Sequence, residues 1–372
     1  MLSYFNTLAR MLKGTYGYYR RRFVLDELIF AVTYKCNFRC GQCYYGRTMD
    51  AMAGSDAPEL SLEEIGRVSS SLGRLKNLLI SGGEPFLRDD LPEICELFYR
   101  RNDICHIHLP TNGFYTERIV GQTRVILEQL PHVDLTVGLS LDGLDENHDA
   151  ARGKQGSFAR VVETVRGLAG LKKNRNNLEI YIITVVTKNN VGAVVDLAEF
   201  IKENLPVDGH GPSPVRGTPY EASVLPPGYK DWDALARQLM PYHRFWNRKT
   251  SGSGLQALLA TNRIRYLYGV YTRVLQGKGL PFRCRAGNGI GVLEPNGDVK
   301  LCELGGAIGN VRAADYDFKA IWLSGEADRE REKAKHCACT HACFLSPSIA
   351  LSLPATIKSS FCFKTAKTSE GT

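Results

Sequence analysis

The sequence predicts an α/β protein: a partial (β/α)6, TIM-like barrel followed by a helical connector and a cysteine-rich module. Three observations predict this class. Short β-branched runs alternate with helix-period segments between residues 28 and 228, a long helical stretch follows, and five cysteines fall between Cys284 and Cys343. Repeated βα units are typical of a parallel sheet covered by helices. Six units rather than eight indicate an incomplete barrel, whose active face lies at the carboxyl ends of the strands.

The elements of the barrel are predicted in order from their apolar patterns. The strands are expected at 28–34, 77–81, 104–110, 133–140, 178–187 and 207–215, and the helices between them at 61–75, 90–101, 115–130, 157–173 and 192–204. Ser61 and Glu64 have the spacing of a capping box at the start of the first of these helices.

Four further segments complete the predicted organisation. Residues 1–27 are a basic, amphipathic extension, which we expect to pack on the barrel in preference to touching a membrane. Residues 229–281 are a helical connector, and 282–345 a cysteine-rich module with a hairpin turn at Asn296-Gly297. Residues 346–372 are a tail, expected to be disordered at its end.

Composition excludes several classes of protein. Of 372 residues, 44% are hydrophobic and 23% charged, which is ordinary for a globular protein, and the formal charge of +8 is compatible with anionic ligands. The chain lacks a run of eighteen apolar residues and a secretory signal, so we expect a cytoplasmic protein. Without a concentrated basic and aromatic stripe beyond the N-terminus, no nucleic-acid partner is expected.

The eleven cysteines are clustered, which favours metal or redox chemistry over disulfides in a chain with no secretion signal. Three cysteines lie apart. Cys95 and Cys105 stand alone in apolar surroundings and are expected to be buried as small hydrophobic side chains, and Cys362 is a distant sixth cysteine after the C-terminal group.

The first cluster follows the first predicted strand and consists of Cys36, Cys40 and Cys43. Three thiolates on one loop can bind three irons of a cubane cluster and leave the fourth iron open to an external ligand. Structural zinc and ordinary ferredoxin clusters each require four protein ligands. A zinc loop completed by a distant residue is the alternative.

The Cys-x3-Cys-x2-Cys spacing, followed by the βα series, resembles the radical S-adenosylmethionine (SAM) superfamily over residues 28 to 225. The resemblance implies a [4Fe-4S] cluster whose unique iron chelates SAM, and reductive cleavage of SAM to a 5′-deoxyadenosyl radical. It also implies an electron donor such as flavodoxin or ferredoxin. Gln42 departs from the family, where this position is often aromatic or hydrophobic, so the packing of adenine is left open.

Further motifs match the same family after the second, third and fourth strands. The resemblance implies that Glu84, in Gly82-Gly83-Glu84, holds the SAM amine. It places Ser140 near the ribose or the carboxylate of SAM, and Asp142 near the ribose or the substrate. It also implies that Arg152 binds the SAM carboxylate and that Asn112 lines the pocket. A solvated surface arginine and a simple turn are the alternatives for these last two.

The second cluster begins with Cys284, twelve residues, Gly297, four residues and Cys302, and ends with Cys337, Cys339 and Cys343. This arrangement resembles the SPASM/twitch extension of some radical SAM enzymes and implies a second, auxiliary [4Fe-4S] cluster. Its ligands are expected to be Cys284, Cys302 and two of the last three, with Cys339 and Cys343 favoured. Zinc is the alternative metal. His341 is expected as a structural histidine beside the cluster, with a ligand role as the alternative.

Together these features predict abstraction of hydrogen from a C–H bond of a small hydroxylated or sugar-like substrate. Arg216, at the end of the last barrel unit, either binds a phosphate or carboxylate of that substrate or forms a surface ion pair. A maturase of a peptide or protein is the alternative enzyme. A non-catalytic iron–sulfur electron carrier or redox sensor, and a zinc-containing nucleic-acid binder, are the alternatives of other classes.

Overall fold

The computed structural model describes residues 25–53, 58–173, 175–350 and 352–360. Its centre is a nine-stranded sheet in the order β6-β5-β4-β3-β2-β1-β7-β8-β9. The first six strands are all parallel, as predicted. They are β1 (Leu25–Ala31), β2 (Asn77–Ser81), β3 (His106–Thr111), β4 (Asp134–Ser140), β5 (Leu178–Val186) and β6 (Gly209–Pro214).

Helices lie between these six strands in the chain. They are α1 (Gly46–Ala53), α2 (Leu62–Leu72), α3 (Leu91–Asn102), α4 (Thr116–Gln129), α5 (Asp145–Arg152), α6 (Ser157–Lys172) and α7 (Val194–Asn204), with 3-10 turns at Pro85–Leu87 and Val191–Ala193. The predicted capping box is present at α2: Ser61 Oγ accepts from the Glu64 amide at 3.2 Å, and Glu64 Oε2 accepts from the Ser61 amide at 2.9 Å. The short helices α1 and α5 were not predicted.

The two faces of the sheet have different roles, which β5 illustrates. Leu178, Ile180 and Ile182 are fully buried in the core that the sheet shares with the helices. Tyr181 and Ile183 point the other way and line a cavity, because successive side chains of a strand alternate between its faces. The barrel therefore has a packed outer layer and a hollow interior.

The C-terminal part extends the barrel sheet, which the sequence did not predict. It consists of α8 (Tyr229–Thr250), α9 (Gly254–Leu275), β7 (Gly289–Leu293), β8 (Asp298–Lys300), β9 (Ala307–Asn310), α10 (Phe318–Trp322), α11 (Gly325–Ala334), α12 (Ala342–Ala350) and α13 (Leu353–Ser360). Strand β7 pairs in parallel with β1, with Ile29 opposite Val292. The predicted hairpin joins β7 to β8 at Asn296-Gly297, where Gly297 has φ +90°.

The C-terminal end of the described chain is helical where a tail was predicted. Helices α12 and α13 occupy residues 342–350 and 353–360, where the sequence indicated only a tail from residue 346. The basic extension up to residue 24, the last residues of the tail and Cys362 lie outside the described residues. Within the described ranges, none of the helices has the combination of length and apolar character needed to cross a membrane.

The two isolated cysteines differ from each other. Cys95 is fully buried in the core, as predicted. Cys105 is exposed, so the prediction for it was wrong. It lies in the turn before β3, and its Sγ is 3.6 Å from the carbonyl oxygen of Asp103. Ile104 and Ile107 are the residues of this segment that point into the core, and the Cys105 side chain is left outside.

Candidate active site

The three cysteines of the first cluster lie on the loop between β1 and α1, at the carboxyl edge of the sheet. Cys36, Cys40 and Cys43 all line one cavity of about 610 Å³. Glu59 fixes the start of the loop, because its Oε1 accepts hydrogen bonds from Thr33 Oγ1 at 2.8 Å and from the Tyr34 amide at 2.7 Å. The chain thus holds three thiols on one preformed wall.

The electrostatics of these thiols favour a bound cationic centre. Burial raises the pKa of Cys36 to about 12 and also raises the pKa of Cys40 and of Cys43. Arg152 partly opposes this for Cys40, to whose Sγ its Nη1 donates at 3.9 Å. Three buried thiolates are costly without a counter-charge, and bound iron supplies one. The residues therefore fit an iron–sulfur cluster.

The turn after β2 brings the backbone of Gly82 and Gly83 against the cysteine loop. Gly82 has φ +113°, a conformation that favours glycine. The Gly83 amide donates to Thr33 O at 2.8 Å and the Glu84 amide to Lys35 O at 2.9 Å. A Cβ added at Gly83 would lie 2.1 Å from Lys35 O, so only glycine allows this approach.

Glu84 lies at the bottom of the same wall and is 2% exposed. Its carboxylate accepts hydrogen bonds from Thr111 Oγ1 at 2.8 Å, from the Asn112 amide at 2.7 Å and from the Phe86 amide at 3.3 Å. Burial outweighs these donors and raises the pKa of Glu84 to about 7. Asn112 in turn donates from its Nδ2 to Asn37 Oδ1 at 2.8 Å, which ties the end of β3 to the cysteine loop.

Arg152 ends helix α5 and is buried beside the cysteines, not solvated. Its Nη2 lies 2.8 Å from Asp142 Oδ2, while its Nε has no hydrogen-bond partner. Asp142 also accepts from Gln42 Nε2 at 2.6 Å and from the Val185 amide at 2.8 Å. The carboxylate of Asp142 is therefore occupied by the protein itself, and it orients Arg152 and Gln42.

The structure gathers the other predicted residues on this wall. Six of the seven candidates for SAM binding line the cavity: Gly82, Gly83, Glu84, Asn112, Ser140 and Arg152. Asp142 is not among the described residues that line it. Thr111, which donates to Glu84, was missed by sequence reasoning, and its position directly before Asn112 was the available signal.

Comparison with known proteins identifies the family of the barrel strands and their helices. The model of the family described as "Radical SAM superfamily" matches residues 30–201 of the chain. Residues 30–201 are a radical SAM domain. The family resemblance and the fold class inferred from the sequence are thereby confirmed.

Relatives of this radical SAM domain catalyse diverse reactions, by their names. The chain is 31% identical over 179 residues to Fe-coproporphyrin III synthase of Methanosarcina barkeri, covering 47% of this chain and 41% of the synthase. It is 29% identical over 182 residues to a probable GTP 3′,8-cyclase of Metallosphaera sedula, covering 48% of this chain and 52% of the cyclase. The chain thus spans about half the length of these curated relatives.

A solved structure shows that the fold likeness extends beyond the radical SAM domain. The structure of anSMEcpe with bound AdoMet and Cp18Cys peptide superposes with a TM-score of 0.60 at 22% identity, covering 84% of this chain and 83% of that one. At this identity the likeness concerns the fold alone.

The remainder of the cavity wall carries polar residues that the sequence did not single out. Tyr44 donates its hydroxyl to Glu303 Oε1 at 2.6 Å, and Ser81 Oγ donates to the same oxygen at 2.9 Å. Glu27 accepts from Asn77 Nδ2 at 3.0 Å, and burial raises its pKa to about 7. In hindsight, Tyr44 and Glu303 each directly follow a candidate ligand cysteine.

Arg216 lines the cavity and is not a surface ion pair. Its guanidinium carbon lies 4.7 Å from the centre of the Tyr44 ring, a cation–π contact. Its Nε is buried and has no hydrogen-bond partner. A buried guanidinium with a donor left over can bind an anionic group of a ligand.

The second group of cysteines lies beyond the radical SAM domain. Cys337 interacts electrostatically with Cys339, Cys284 and Cys302, so these four thiols lie near one another. Burial, with contributions from Glu303 and from neighbouring thiols, raises the pKa of Cys302 to about 12. Cys343 instead lines the main cavity. Cys343 also packs, with Cys302, against the buried cluster that contains Cys284, so the choice among Cys337, Cys339 and Cys343 stays a prediction.

Proposed function

We propose that this chain is an enzyme that reductively cleaves SAM at a [4Fe-4S] cluster held by Cys36, Cys40 and Cys43. The 5′-deoxyadenosyl radical so formed would abstract hydrogen from a C–H bond of a small anionic molecule. One observation carries the proposal: the cysteine triad, Glu84 and Arg152 all face one cavity of about 610 Å³.

The wall beside the cysteines offers complementary groups for the methionine part of SAM. The carboxylate of Glu84 accepts a hydrogen bond from the amine, and the unpaired Nε edge of Arg152 donates to the carboxylate. Gly82 and Gly83 let the backbone approach the ligand closely. When bound, the reduced cluster supplies the electron that breaks the carbon–sulfur bond of SAM; the chain supplies position and excludes water.

The cavity wall away from the cysteine loop carries a positive charge and hydrogen-bonding groups, which support a small anionic substrate with hydroxyl groups. Arg216 provides the positive charge, while Tyr44 and Glu27 provide hydrogen-bonding groups. A cavity of this size is typical of sites for small molecules. Tyr181 and Ile183 close its inner side with apolar surface. A peptide substrate is the second candidate, since the structurally similar anSMEcpe holds a peptide.

We further propose an auxiliary [4Fe-4S] cluster in the C-terminal module, with Cys284 and Cys302 among its ligands.

An iron–sulfur protein that only carries electrons would not need a substrate-sized cavity beside its cluster. The buried Glu84 and Arg152 that face it therefore favour an enzyme over a carrier or redox sensor.

Reductive cleavage of SAM tests the proposed activity. Anaerobically reconstituted protein, given SAM and dithionite or a reduced flavodoxin, should yield 5′-deoxyadenosine, measured by liquid chromatography and mass spectrometry. Cys43→Ala should yield none, whereas Cys105→Ser, which changes an exposed cysteine outside the site, should match the wild type. Normal cleavage by the Cys43 variant would show that the catalytic assignment is wrong.

A further inference from the structure

A second set of metal-ligating side chains lies on the C-terminal part of the cavity wall. Glu303 follows β8, and His341 and Cys343 lie at the start of α12. One ligand atom of each lies within 4.8 Å of the others. Glu303 and Cys343 line the cavity.

One polar atom of this set is buried without any partner: Nδ1 of His341, whose side chain is fully buried. On the other side of the ring, Nε2 lies 2.7 Å from Glu303 Oε2 in an ion pair that is not aligned as a hydrogen bond. The other oxygen of Glu303 is satisfied by Tyr44 and Ser81. Since buried polar groups are almost always paired, the orphaned nitrogen and the poorly aligned ion pair are consistent with a further partner between these side chains.

The donor set identifies the chemistry of that partner. A carboxylate oxygen, an imidazole nitrogen and a thiolate sulfur suit Zn²⁺ or Fe²⁺, with ligand bonds of about 2.0–2.3 Å. Two ligand atoms of one tetrahedral ion lie about 3.5 Å apart, so side-chain rotations that move these donors by about 1 Å bring all three onto one ion. We propose that Glu303, His341 and Cys343 bind one divalent transition-metal ion, Zn²⁺ or Fe²⁺, on the wall of the reaction cavity.

Two of the three ligands supply the negative charge that a dication requires. The carboxylate and the thiolate together neutralise a divalent ion. The positive group that faces them, Arg216, interacts with both Glu303 and Cys343. Three protein ligands leave a coordination position open. An anionic oxygen of a substrate could therefore bind the ion and Arg216 together.

The inference separates Cys343 from the auxiliary cluster. The proposal leaves Cys284, Cys302, Cys337 and Cys339 as the four ligands of that cluster, and these four thiols lie close enough to interact electrostatically. Removal of the Cys343 sulfur should therefore leave the cluster iron in place. The site also stands independently of SAM cleavage, because none of its three ligands belongs to the triad of the first cluster.

Co²⁺ is a suitable probe, since it replaces Zn²⁺ and absorbs visible light when bound to thiolate. The holoprotein, reconstituted anaerobically and washed with chelator, should bind one Co²⁺ per chain with a thiolate charge-transfer band, and Zn²⁺ should abolish the band. His341→Gln and Glu303→Gln should each weaken Co²⁺ binding at least tenfold. His336→Gln, the same change at an exposed histidine nearby, is the matched control and should bind like the wild type.

The Cys343→Ala variant gives the sharpest outcome. It should lose the Co²⁺ band and retain its full complement of cluster iron. A loss of about four irons per chain would overturn the proposal, because Cys343 would then be a cluster ligand. Equal Co²⁺ binding by the His341 and His336 variants, or no band in the wild type, would overturn it too. Co²⁺ binding in a protein that fails to cleave SAM would refute only the proposed activity.

Discussion

Gly83→Ala is a direct test of how closely the Gly-Gly-Glu turn and the cysteine loop depend on each other. The added Cβ would lie 2.1 Å from the carbonyl oxygen of Lys35 and 3.2 Å from Cys36 Cβ, whereas ordinary contacts begin at 3.4 Å. The loop or the turn must therefore move by about 1.3 Å, the difference between 3.4 and 2.1 Å. Both obstacles belong to the segment that bears the first cluster ligand.

The expected magnitudes follow from this displacement. Overpacking of this kind typically costs about 1–3 kcal/mol of stability. The shift also breaks the hydrogen bond from the Glu84 amide to Lys35 O, which measures 2.9 Å. A misplacement of about 1 Å at a catalytic site can lower a rate by roughly 100-fold. We expect Gly83→Ala to lower 5′-deoxyadenosine formation by about that factor.

The matched control is Gly170→Ala in α6, where a Cβ meets no atom within 4 Å. This change should stabilise the helix by about 0.5–1 kcal/mol and leave SAM cleavage unchanged. Iron content, denaturant unfolding and 5′-deoxyadenosine formation are measured for both variants. Wild-type iron content and wild-type cleavage in the Gly83 variant would refute the close packing described for this turn.

Three further predictions follow from buried charges and ligands. Since the folded pKa of Glu27 is raised to about 7 from an ordinary 4.5, its contribution to stability is present at pH 5 and lost by pH 8. The free energy of unfolding of the wild type should fall by about 2 kcal/mol more than that of Glu27→Gln over this range, and parallel pH profiles would contradict the assignment. Arg152→Gln should destabilise the protein by about 3–5 kcal/mol, because it leaves the buried carboxylate of Asp142 without its counter-charge; if adding Asp142→Asn restores none of the loss in denaturant unfolding, the ion pair is not its cause. Iron and sulfide analysis should give about eight irons per wild-type chain and about four for Cys302→Ala. Equal iron contents in the two proteins would contradict the proposed auxiliary cluster.

Much of the radical SAM domain could be predicted because its signals are local. The capping box of Ser61 and Glu64 begins a helix through contacts only three residues apart. The cysteine loop and the Gly82–Glu84 turn each follow directly after a predicted strand. In a parallel sheet the carboxyl ends of neighbouring strands meet at one edge, so these two motifs were expected to lie together.

The rest depends on contacts between distant parts of the chain, for which the sequence carries no local signal. Strand β7 joins the sheet beside β1, although its own residues predict only a hairpin. The hydrogen bond from Tyr44 to Glu303 joins residues 259 positions apart. The sequence allows Arg216 to be either a surface residue or a cavity residue, and only the folded structure shows that it packs against the Tyr44 ring. Asp142 belongs to a recognised motif, yet its surroundings turn its carboxylate towards Arg152.

The most direct test of the central claim is spectroscopic and concerns the fourth iron of the cluster on Cys36, Cys40 and Cys43. The Cys302→Ala variant leaves this cluster as the main paramagnetic centre after reduction, and its electron paramagnetic resonance spectrum is recorded with and without SAM. Binding of SAM to an iron that lacks a protein ligand should change the spectrum clearly. A spectrum that SAM leaves unaltered, with the iron already bound by a fourth side chain, would contradict the account.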